Sequence, residues 1–325
     1  MYKRFFNLAR NPFELTPDPA FLFPTKRHNE ALASLYYGVR RHKGFVVLTG
    51  EVGTGKTLLL RCLLRLLEQS KDIAYAYLFN CRFSPIEFLQ YIMSDFGLPA
   101  SGKNKSELLL ELGNYVVSRG LKNLTTLLIV DEAHHLSTEL LEEVRLLTNL
   151  GTPNERLLQI LLVGQPELDK KMDSVGLEEL KQRIALRSRL EPLDPQETKE
   201  YVEQRLHLAG ANSSATALFS VQTIAAVYRH SRGVPRLINT ICENALVTAY
   251  AMQMRSVTPD IIDAIAEDFR LDVVRPLEIE RDEAVDEPDV QLAANILLDF
   301  YASLQKPPTP DTDLRFPLIG QVRQV

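Results

Sequence analysis

The chain has 325 residues, enough for two domains, and its 45% hydrophobic and 24% charged content is that of an ordinary globular protein. No apolar stretch approaches the ~20 residues that cross a bilayer. The start of the chain lacks the long apolar segment of a secretory signal. The three cysteines show neither metal-ligand spacing nor even pairing. These features exclude a disulfide-rich or membrane-spanning protein and predict a cytoplasmic one.

The net charge of −5 is concentrated near the C-terminal end of the sequence. Residues 1–275 carry 33 Lys and Arg against 32 Asp and Glu, whereas residues 276–325 carry 4 against 10. A near-neutral body does not favour nucleic acid as a partner. The basic run at 40–43 could form a local patch, but a solvated helix end explains it more simply.

Aromatic residues and prolines dominate segment 1–27, which therefore predicts an irregular segment that packs its rings on the body. From residue 28 to residue 193, amphipathic helices alternate with apolar strands. The predicted strands are 45–49, 73–79, 126–130, 157–163 and 187–192. The predicted helices are about 28–42, 56–69, 84–96, 105–119 and 137–149. The third of these opens with a capping box, Ser84-Pro85-Ile86-Glu87. This alternation predicts an α/β domain with a five-stranded, mostly parallel sheet covered on both sides.

Only helices are predicted over 194–272, which we interpret as a small all-helical domain. The first helix begins with a capping box, Asp194-Pro195-Gln196-Glu197, and Thr258-Pro259 begins the last one. Segment 273–325 follows as an acidic linker and flexible tail, in which one amphipathic helix is predicted near 289–304.

A complete phosphate-binding pattern follows the first predicted strand. It consists of Gly50, Glu51, Val52, Gly53, Thr54, Gly55, Lys56 and Thr57. The glycines let backbone N–H groups converge on phosphate oxygens, and the helix that begins near Lys56 adds the positive end of its dipole. Lys56 would reach the β and γ phosphates, and Thr57 would place its hydroxyl on Mg²⁺. The pattern predicts ATP and Mg²⁺ as ligands.

Two acids follow the buried strand 126–130. In a phosphate-loop protein, Asp131 would hold Mg²⁺ and Glu132 would polarise the water that attacks the γ phosphate. This pair predicts hydrolysis as well as binding. The adjacent pair His134-His135 has no cysteine or regular ligand spacing nearby, so the sequence favours local polar contacts there over a zinc site.

The phosphate loop, the Asp-Glu pair and the helical domain after a five-stranded sheet together resemble the AAA+ ATPases. The resemblance implies that Gln165 is a polar sensor that helps to orient the attacking water. It implies that Asn80 restrains the catalytic glutamate, although an asparagine that terminates the strand is an equal alternative. In the segment Gly233-Val234-Pro235-Arg236, the resemblance implies that Arg236 contacts the bound nucleotide in cis.

Residues 180–189 resemble the part of these ATPases that presents an arginine finger to the nucleotide of a neighbouring subunit. Arg183 is our first candidate, ahead of Arg187 and Arg189, and a plain surface arginine is an equal alternative at each position. A finger is needed because a guanidinium stabilises charge developing on the γ phosphate. The resemblance therefore implies a homo-oligomer, either a ring or a helical filament.

The amino-terminal residues narrow the resemblance further. Phe5-Phe6, Asn11-Pro12-Phe13 and Thr16-Pro17-Asp18-Pro19 resemble secretion-associated ATPases of the general secretion pathway component A type, and their relatives encoded with exosortase and exopolysaccharide systems. The resemblance covers about residues 1–272. It implies a partner in envelope secretion or polysaccharide export, and a cytoplasmic location that becomes peripheral at the inner membrane through that partner.

Secretion-pathway members usually continue into a membrane segment and a peptidoglycan-binding domain, whereas an acidic linker follows here, so the shorter relatives are the better comparison.

Two alternatives to a secretion-associated ATPase remain open from the sequence. A DNA-associated AAA+ regulator of the transposition-ATPase type is the second hypothesis. A nucleotide-dependent scaffold that scarcely hydrolyses ATP is the third, and the intact Asp131-Glu132 pair argues against it.

Overall fold

The computed structural model describes residues 2–79, 82–152, 155–174, 176–211 and 218–271. The predicted linker and tail, with the helix near 289–304, lie outside the described residues. The described chain divides into two compact units. The sheet unit comprises residues 26–50 and 59–190, and the helical unit comprises residues 2–25, 51–58 and the described part of 191–271.

The sheet unit is built on five parallel strands, which in chain order are β1 (Phe45–Gly50), β2 (Ile73–Leu78), β3 (Thr125–Val130), β6 (Leu158–Gly164) and β7 (Leu186–Leu190). Their order in the sheet is β2-β3-β6-β1-β7. Between β3 and β6, a two-residue antiparallel pair forms from β4 (Gly151–Thr152) and β5 (Glu155–Arg156). Strands β1, β3 and β6 are buried along their whole length, as continuous apolar runs require in a doubly covered sheet. The predicted five-stranded parallel sheet is confirmed.

Helices in the stretch from 26 to 190 connect these strands. They are α2 (Lys26–Arg40), α3 (Lys56–Glu68), α4 (Pro85–Asp95), α5 (Lys105–Gly120), α6 (Thr138–Leu147), α7 (Pro166–Met172) and α8 (Glu178–Gln182). The predicted capping box at the start of α4 is present, because Ser84 and Glu87 each accept a hydrogen bond from the other's backbone N–H. Asn104 and Glu107 form a second capping box at the start of α5. Local side-chain chemistry therefore sets both helix starts.

The strand register places the candidate site residues of this unit at one edge of the sheet. Val130 at the end of β3 lies opposite Leu78 of β2 and Leu162 of β6. Because the strands are parallel, the residues that follow them emerge at the same edge. Asp131 and Gln165 are two of these residues.

The helical unit contains α9 (Pro195–Leu208), α10 (Val221–Ser231), α11 (Pro235–Ala251) and α12 (Pro259–Asp268). The amino-terminal segment packs against these helices, and it is irregular except for α1 (Tyr2–Phe5) and one 3₁₀ turn (Pro19–Phe21). Its rings supply part of the core: Phe13 lies edge-on 5.9 Å from Phe219, and Phe5 lies edge-on 5.4 Å from Tyr250. The aromatic rings of the amino-terminal segment therefore pack as predicted, and the surface on which they pack belongs to the helical unit.

Polar contacts fasten the same segment to the helices. The Tyr2 hydroxyl donates to the Glu243 carboxylate at 2.8 Å, and the buried Arg205 donates through Nη1 to the Pro12 carbonyl at 3.0 Å. Burial raises the pKa of Glu243, whereas the hydrogen bond from Tyr2 acts in the opposite direction. Together with the ring contacts, these bonds make the amino-terminal segment an integral part of the helical unit.

Replacing Gly233 with alanine should destabilise the helical unit strongly. Gly233 has φ +75°, and a Cβ there would lie 1.8 Å from the Leu193 carbonyl oxygen. The Leu193 N–H also donates a hydrogen bond to the Gly233 carbonyl at 2.9 Å. Gly102 also has φ +75°, but its Cβ would meet nothing within 4 Å. Gly102→Ala should therefore lower the free energy of unfolding only by the cost of placing alanine in a left-handed backbone conformation, about 1–2 kcal/mol. Denaturant unfolding of the full chain should show a clearly larger loss for Gly233→Ala, and equal losses would contradict this argument.

Candidate functional site

The phosphate loop joins β1 to α3, and its side chains fold back onto its own backbone. The Glu51 carbonyl accepts hydrogen bonds from Lys56 Nζ at 2.9 Å and from Thr54 Oγ1 at 2.8 Å. Lys56 is the first residue of α3, and the first turn of that helix contains no acid. Backbone N–H groups, an ammonium group and the Thr57 hydroxyl form a donor set that fits a polyphosphate with Mg²⁺.

Gly53 lies against the start of α11 within the helical unit. Its φ is +85°, and a Cβ there would lie 2.7 Å from Arg236 Cβ and 3.0 Å from a Val234 methyl carbon. The Arg236 N–H donates to the Gly53 carbonyl at 3.2 Å. Because Arg236 is the second residue of α11, this N–H has no partner inside the helix. The structure thus brings the predicted Gly-x-Pro-Arg segment into contact with the phosphate loop.

Asp131 is held in one orientation directly after β3. It is buried, and its Oδ2 accepts a hydrogen bond from the Tyr77 hydroxyl at 2.8 Å. Its Oδ1 accepts from the Glu132 N–H at 2.9 Å. Burial and then the neighbouring Asp131 carboxylate raise the pKa of Tyr77, so the phenol remains a donor. The sequence did not point to Tyr77, because nothing local marks a strand tyrosine as the partner of an acid 54 residues away.

Glu132 occupies a left-handed backbone conformation, with φ 53° and ψ 35°, at the start of the 3₁₀ turn Ala133–His135. This conformation costs a non-glycine residue about 1–2 kcal/mol, and such strain is found at functional sites. Its Oε2 lies 3.4 Å from His134 Nδ1. Gln165 Nε2 lies 2.9 Å from His134 Nε2 on the other side of the ring. The structure therefore brings Glu132 and Gln165 to the two nitrogens of a single histidine.

The turn that carries Glu132 is fastened to α7. Lys171 Nζ donates to the carbonyls of His134 and Leu136 at 2.7 Å each. Gly164 at the end of β6 allows close approach, because a Cβ there would lie 3.2 Å from the His134 nitrogen. These contacts hold the turn in a fixed position beside Gln165. His134 thus makes the local polar contacts that the sequence favoured.

Two of the three arginines proposed as fingers have partners within the sheet unit. The Arg183 guanidinium, at the end of α8, donates to the side chains of Thr148 and Asn149 after α6. Arg187 on β7 lies 3.5 Å from the Asp169 carboxylate. Burial raises the pKa of Asp169, while Arg187 acts in the opposite direction. Asn80, the remaining predicted site residue, lies outside the described residues.

Comparison with known proteins identifies a domain family in this chain. Residues 39–172 match the family model described as the AAA domain. General secretion pathway protein A from Aeromonas hydrophila is 41% identical over 252 residues, which are 77% of this chain and 45% of that protein. The chain therefore spans less than half the length of this curated relative.

Three solved structures share the fold at low sequence identity. Cdc6p from Pyrobaculum aerophilum matches with a TM-score of 0.61 and 17% identity, covering 82% of this chain and 70% of that one. The Aeropyrum pernix ORC2 protein, in ADPNP-ADP complexes, matches with a TM-score of 0.59 and 18% identity, covering 82% of this chain and 75% of that one. Drosophila ORC bound to DNA matches with a TM-score of 0.60 and 21% identity, covering 82% of this chain and 66% of that one. These likenesses establish the fold alone.

The parallel sheet, the phosphate loop and the matched domain model define an AAA+ phosphate-loop nucleotide-binding protein. Within the AAA+ proteins, the chain belongs with those of the general secretion pathway protein A type. Among the described residues, no helix is both long and apolar enough to span a bilayer.

Proposed function

We propose that this protein binds ATP with Mg²⁺ and hydrolyses it. The observation that carries the proposal is the set of oriented groups at one sheet edge: Asp131 fixed by Tyr77, and Glu132 and Gln165 on either side of His134. A relative with this fold, the Aeropyrum pernix ORC2 protein, is in complex with ADPNP and ADP. That relative supports a nucleotide as the ligand.

Binding is assigned to the phosphate loop and to Arg236. Lys56 and the backbone N–H groups of residues 50–57 would hold the phosphates, and Arg236 would contact the nucleotide in cis. Thr57 and Asp131 would hold Mg²⁺, which offsets negative charge on the phosphates when bound. The fixed orientation of Asp131 favours this role, because a carboxylate held by two donors needs little reorganisation when a cation arrives.

Turnover is assigned to Glu132, which would accept a proton from the attacking water. Gln165 would orient that water, and Asn80 would restrain the glutamate. The strained backbone at Glu132 supports the assignment, since it directs this side chain away from the course of a regular strand or helix.

We further propose that active sites are shared between subunits of a homo-oligomer. A cation must reach the γ phosphate from the side opposite the phosphate loop, and Arg183 is the first candidate, ahead of Arg187 and Arg189. Arg183 is partly exposed, so exchanging its contacts with Thr148 and Asn149 for a neighbour's nucleotide requires no core rearrangement. Such head-to-tail contacts produce a ring or a helical filament.

Arg183→Ala should bind ATP normally and hydrolyse it more slowly by a factor on the order of a thousand. Mixing Arg183→Ala with Lys56→Ala subunits should restore part of the activity, because some interfaces then pair an intact loop with an intact finger. Steady-state ATPase assays across mixing ratios measure this recovery. Confirmed co-assembly without recovery at any ratio would exclude Arg183 as a finger acting between subunits.

The biological role we propose is to drive or regulate an envelope secretion or polysaccharide export system, from the cytoplasm or at the inner membrane through a partner. The name of the Aeromonas hydrophila relative supports this proposal. Co-purification from the native cell, with the Glu132→Gln chain and ATP, should enrich export components. Enrichment that is identical with the Lys56→Ala chain would show that the association does not depend on nucleotide.

A DNA-associated regulator is the alternative function. Drosophila ORC, which shares the fold, is bound to DNA, and the run at residues 40–43 is basic. Arg40 of this run is paired with Asp72 at 2.7 Å, which reduces the positive charge it offers. We expect only weak, salt-sensitive binding without sequence preference. Submicromolar affinity for duplex DNA at physiological salt, dependent on ATP, would favour the alternative.

A further inference from the structure

Three neighbouring strands of the sheet, β3, β6 and β1, begin around one cavity. Its volume is about 440 Å³, and the residues that line it come just before these strands: His42, Lys43, Asn123, Leu124, Arg156 and Leu157. Asp131 and Gln165 follow the opposite, carboxyl ends of β3 and β6. A six-residue strand such as β3 spans about 20 Å, so the cavity lies at the amino-terminal edge of the sheet, remote from those two residues.

Basic side chains surround this cavity. Lys43 and Arg156 line it, and Arg41 and Lys122 lie on the turns that follow α2 and α5. Lys43 Nζ lies 5.1 Å from the centre of the Tyr37 ring, and Arg156 Nη1 donates only long hydrogen bonds, at 3.3 and 3.4 Å, to two backbone carbonyls. Among the side chains that the structure describes, no carboxylate forms an ion pair with any of these four cations.

The negative ends of the two helices do not account for all of this charge. Arg40 and Arg119, in the last turns of α2 and α5, already meet those ends. Both are held in place, because Arg40 pairs with the Asp72 carboxylate at 2.7 Å and Arg119 donates to the Asp72 carbonyl at 3.1 Å. Arg156 belongs to no helix, and its side chain lies over Gly44, where an added Cβ would be 2.4 Å from Arg156 Cδ. This packing holds its guanidinium at the cavity.

An exposed leucine lies beside these cations. Leu121 directly follows α5 and is 81% exposed. Its neighbours in the same turn, Gly120, Asn123 and Leu124, line the cavity. A large apolar side chain among lysines and arginines is the combination that binds the interface of an anionic bilayer, where the leucine leaves water and the cations meet headgroup phosphates. The phosphate backbone of a nucleic acid would use the cations but would leave the leucine in water.

We propose that the amino-terminal edge of the sheet binds anionic phospholipids. Lys43 and Arg156 meet a headgroup phosphate in the cavity, where the long hydrogen bonds of Arg156 are exchanged for shorter, charge-assisted ones. Lys122 adds long-range attraction, and Leu121 enters the interface. The proposal needs neither ATP hydrolysis nor a partner protein. It gives the chain a membrane contact of its own, in addition to the partner proposed above.

Co-sedimentation of the full chain with vesicles tests the charge contribution. We expect binding to mixed phosphatidylglycerol and phosphatidylcholine vesicles, no binding to phosphatidylcholine alone, and weaker binding as salt rises. The double variant Lys43→Gln and Lys122→Gln should bind about tenfold more weakly or worse, since each basic residue contributes roughly fivefold at such a surface. The control is Lys26→Gln with Lys170→Gln, which removes two exposed lysines elsewhere in the sheet unit. Equal binding by the two double variants would overturn the proposal and place any membrane contact elsewhere in the chain.

Tryptophan fluorescence tests the apolar contribution. The chain contains no tryptophan, so Leu121→Trp introduces a single reporter at an exposed position that tolerates the larger ring. Its emission should move to shorter wavelength when phosphatidylglycerol vesicles are added, because the indole leaves water. Leu110→Trp, at a 68% exposed position about three turns earlier on α5, is the matched control and should show no shift. Vesicle binding without a shift at position 121, or with equal shifts at both positions, would contradict the proposal.

Two further ligands separate the possible sources of phosphate. Glycerol 3-phosphate at matched ionic strength should compete poorly with vesicles, and displacement at submillimolar concentration would show that the cavity takes a soluble phosphate instead. Loss of duplex DNA binding in the Lys43 and Lys122 double variant, with vesicle binding unchanged, would identify a nucleic-acid surface and overturn the proposal. Lys56→Ala should bind vesicles as the parent does. A parent chain that hydrolyses ATP but binds no anionic vesicles would refute the lipid site and leave the proposed function intact.

Discussion

Replacing Lys56 with alanine should abolish nucleotide binding. Lys56 is the first residue of α3, its side chain is buried, and its ammonium group hydrogen-bonds to the Glu51 carbonyl at 2.9 Å. We expect the ammonium to exchange this contact for the β and γ phosphates when ATP binds. Without it, residues 50–57 meet the phosphate charge only through backbone dipoles and the bound Mg²⁺. The expected result is a loss of measurable ATP binding by calorimetry.

The control for this experiment is Lys122→Ala, which removes an exposed lysine from the turn between α5 and β3. Both variants should unfold close to the parent's temperature, because the Lys56 change leaves the sheet core intact. Equal ATP affinity in Lys56→Ala and the parent would exclude residues 50–57 as the nucleotide site. A large loss of stability in Lys56→Ala would show that its contact with Glu51 is structural, and the charge-preserving Lys56→Arg would then separate the two roles.

Glu132→Gln should have the opposite signature, with ATP binding retained and turnover lost. The amide keeps the shape of the side chain but cannot accept a proton from water, and removing a general base typically costs about 10²–10⁴ in rate. Single-turnover assays at saturating ATP measure the chemical step directly. Calorimetry with the same chain should give an ATP affinity close to that of the parent.

The matched control is Glu139→Gln, which neutralises an exposed acid in the first turn of α6, seven positions further along the chain. Its turnover should match the parent. A turnover number for Glu132→Gln within about twofold of the parent would remove Glu132 from the chemical step, since general bases contribute far more than this. Loss of ATP binding in Glu132→Gln would instead give this carboxylate a role in the ground state, through Mg²⁺ or the phosphates.

The sequence by itself determined the architecture, because the patterns that define strands, helices and helix starts lie within short segments of the chain. Apolar strands alternating with amphipathic helices defined the parallel sheet, and capping residues placed the starts of α4 and α9. The spacing of residues 50–57 and the two acids after β3 pointed to nucleotide chemistry. Short elements such as α8 were missed, since five residues carry too little periodicity. The last strand, predicted at 187–192, is Leu186–Leu190, because strand ends depend on pairing with β1.

Only the tertiary structure decided which side chains meet. Tyr77 reaches Asp131 because β2 and β3 pair in a particular register, and that register is a property of two strands together. His134 lies between Glu132 and Gln165 because the backbone turns left-handed at a glutamate, where propensity predicts no such turn. The amino-terminal rings of Phe13 and Phe5 contact Phe219 and Tyr250, which lie more than 200 residues further along the chain. Contacts between distant segments depend on packing, which a local pattern does not encode.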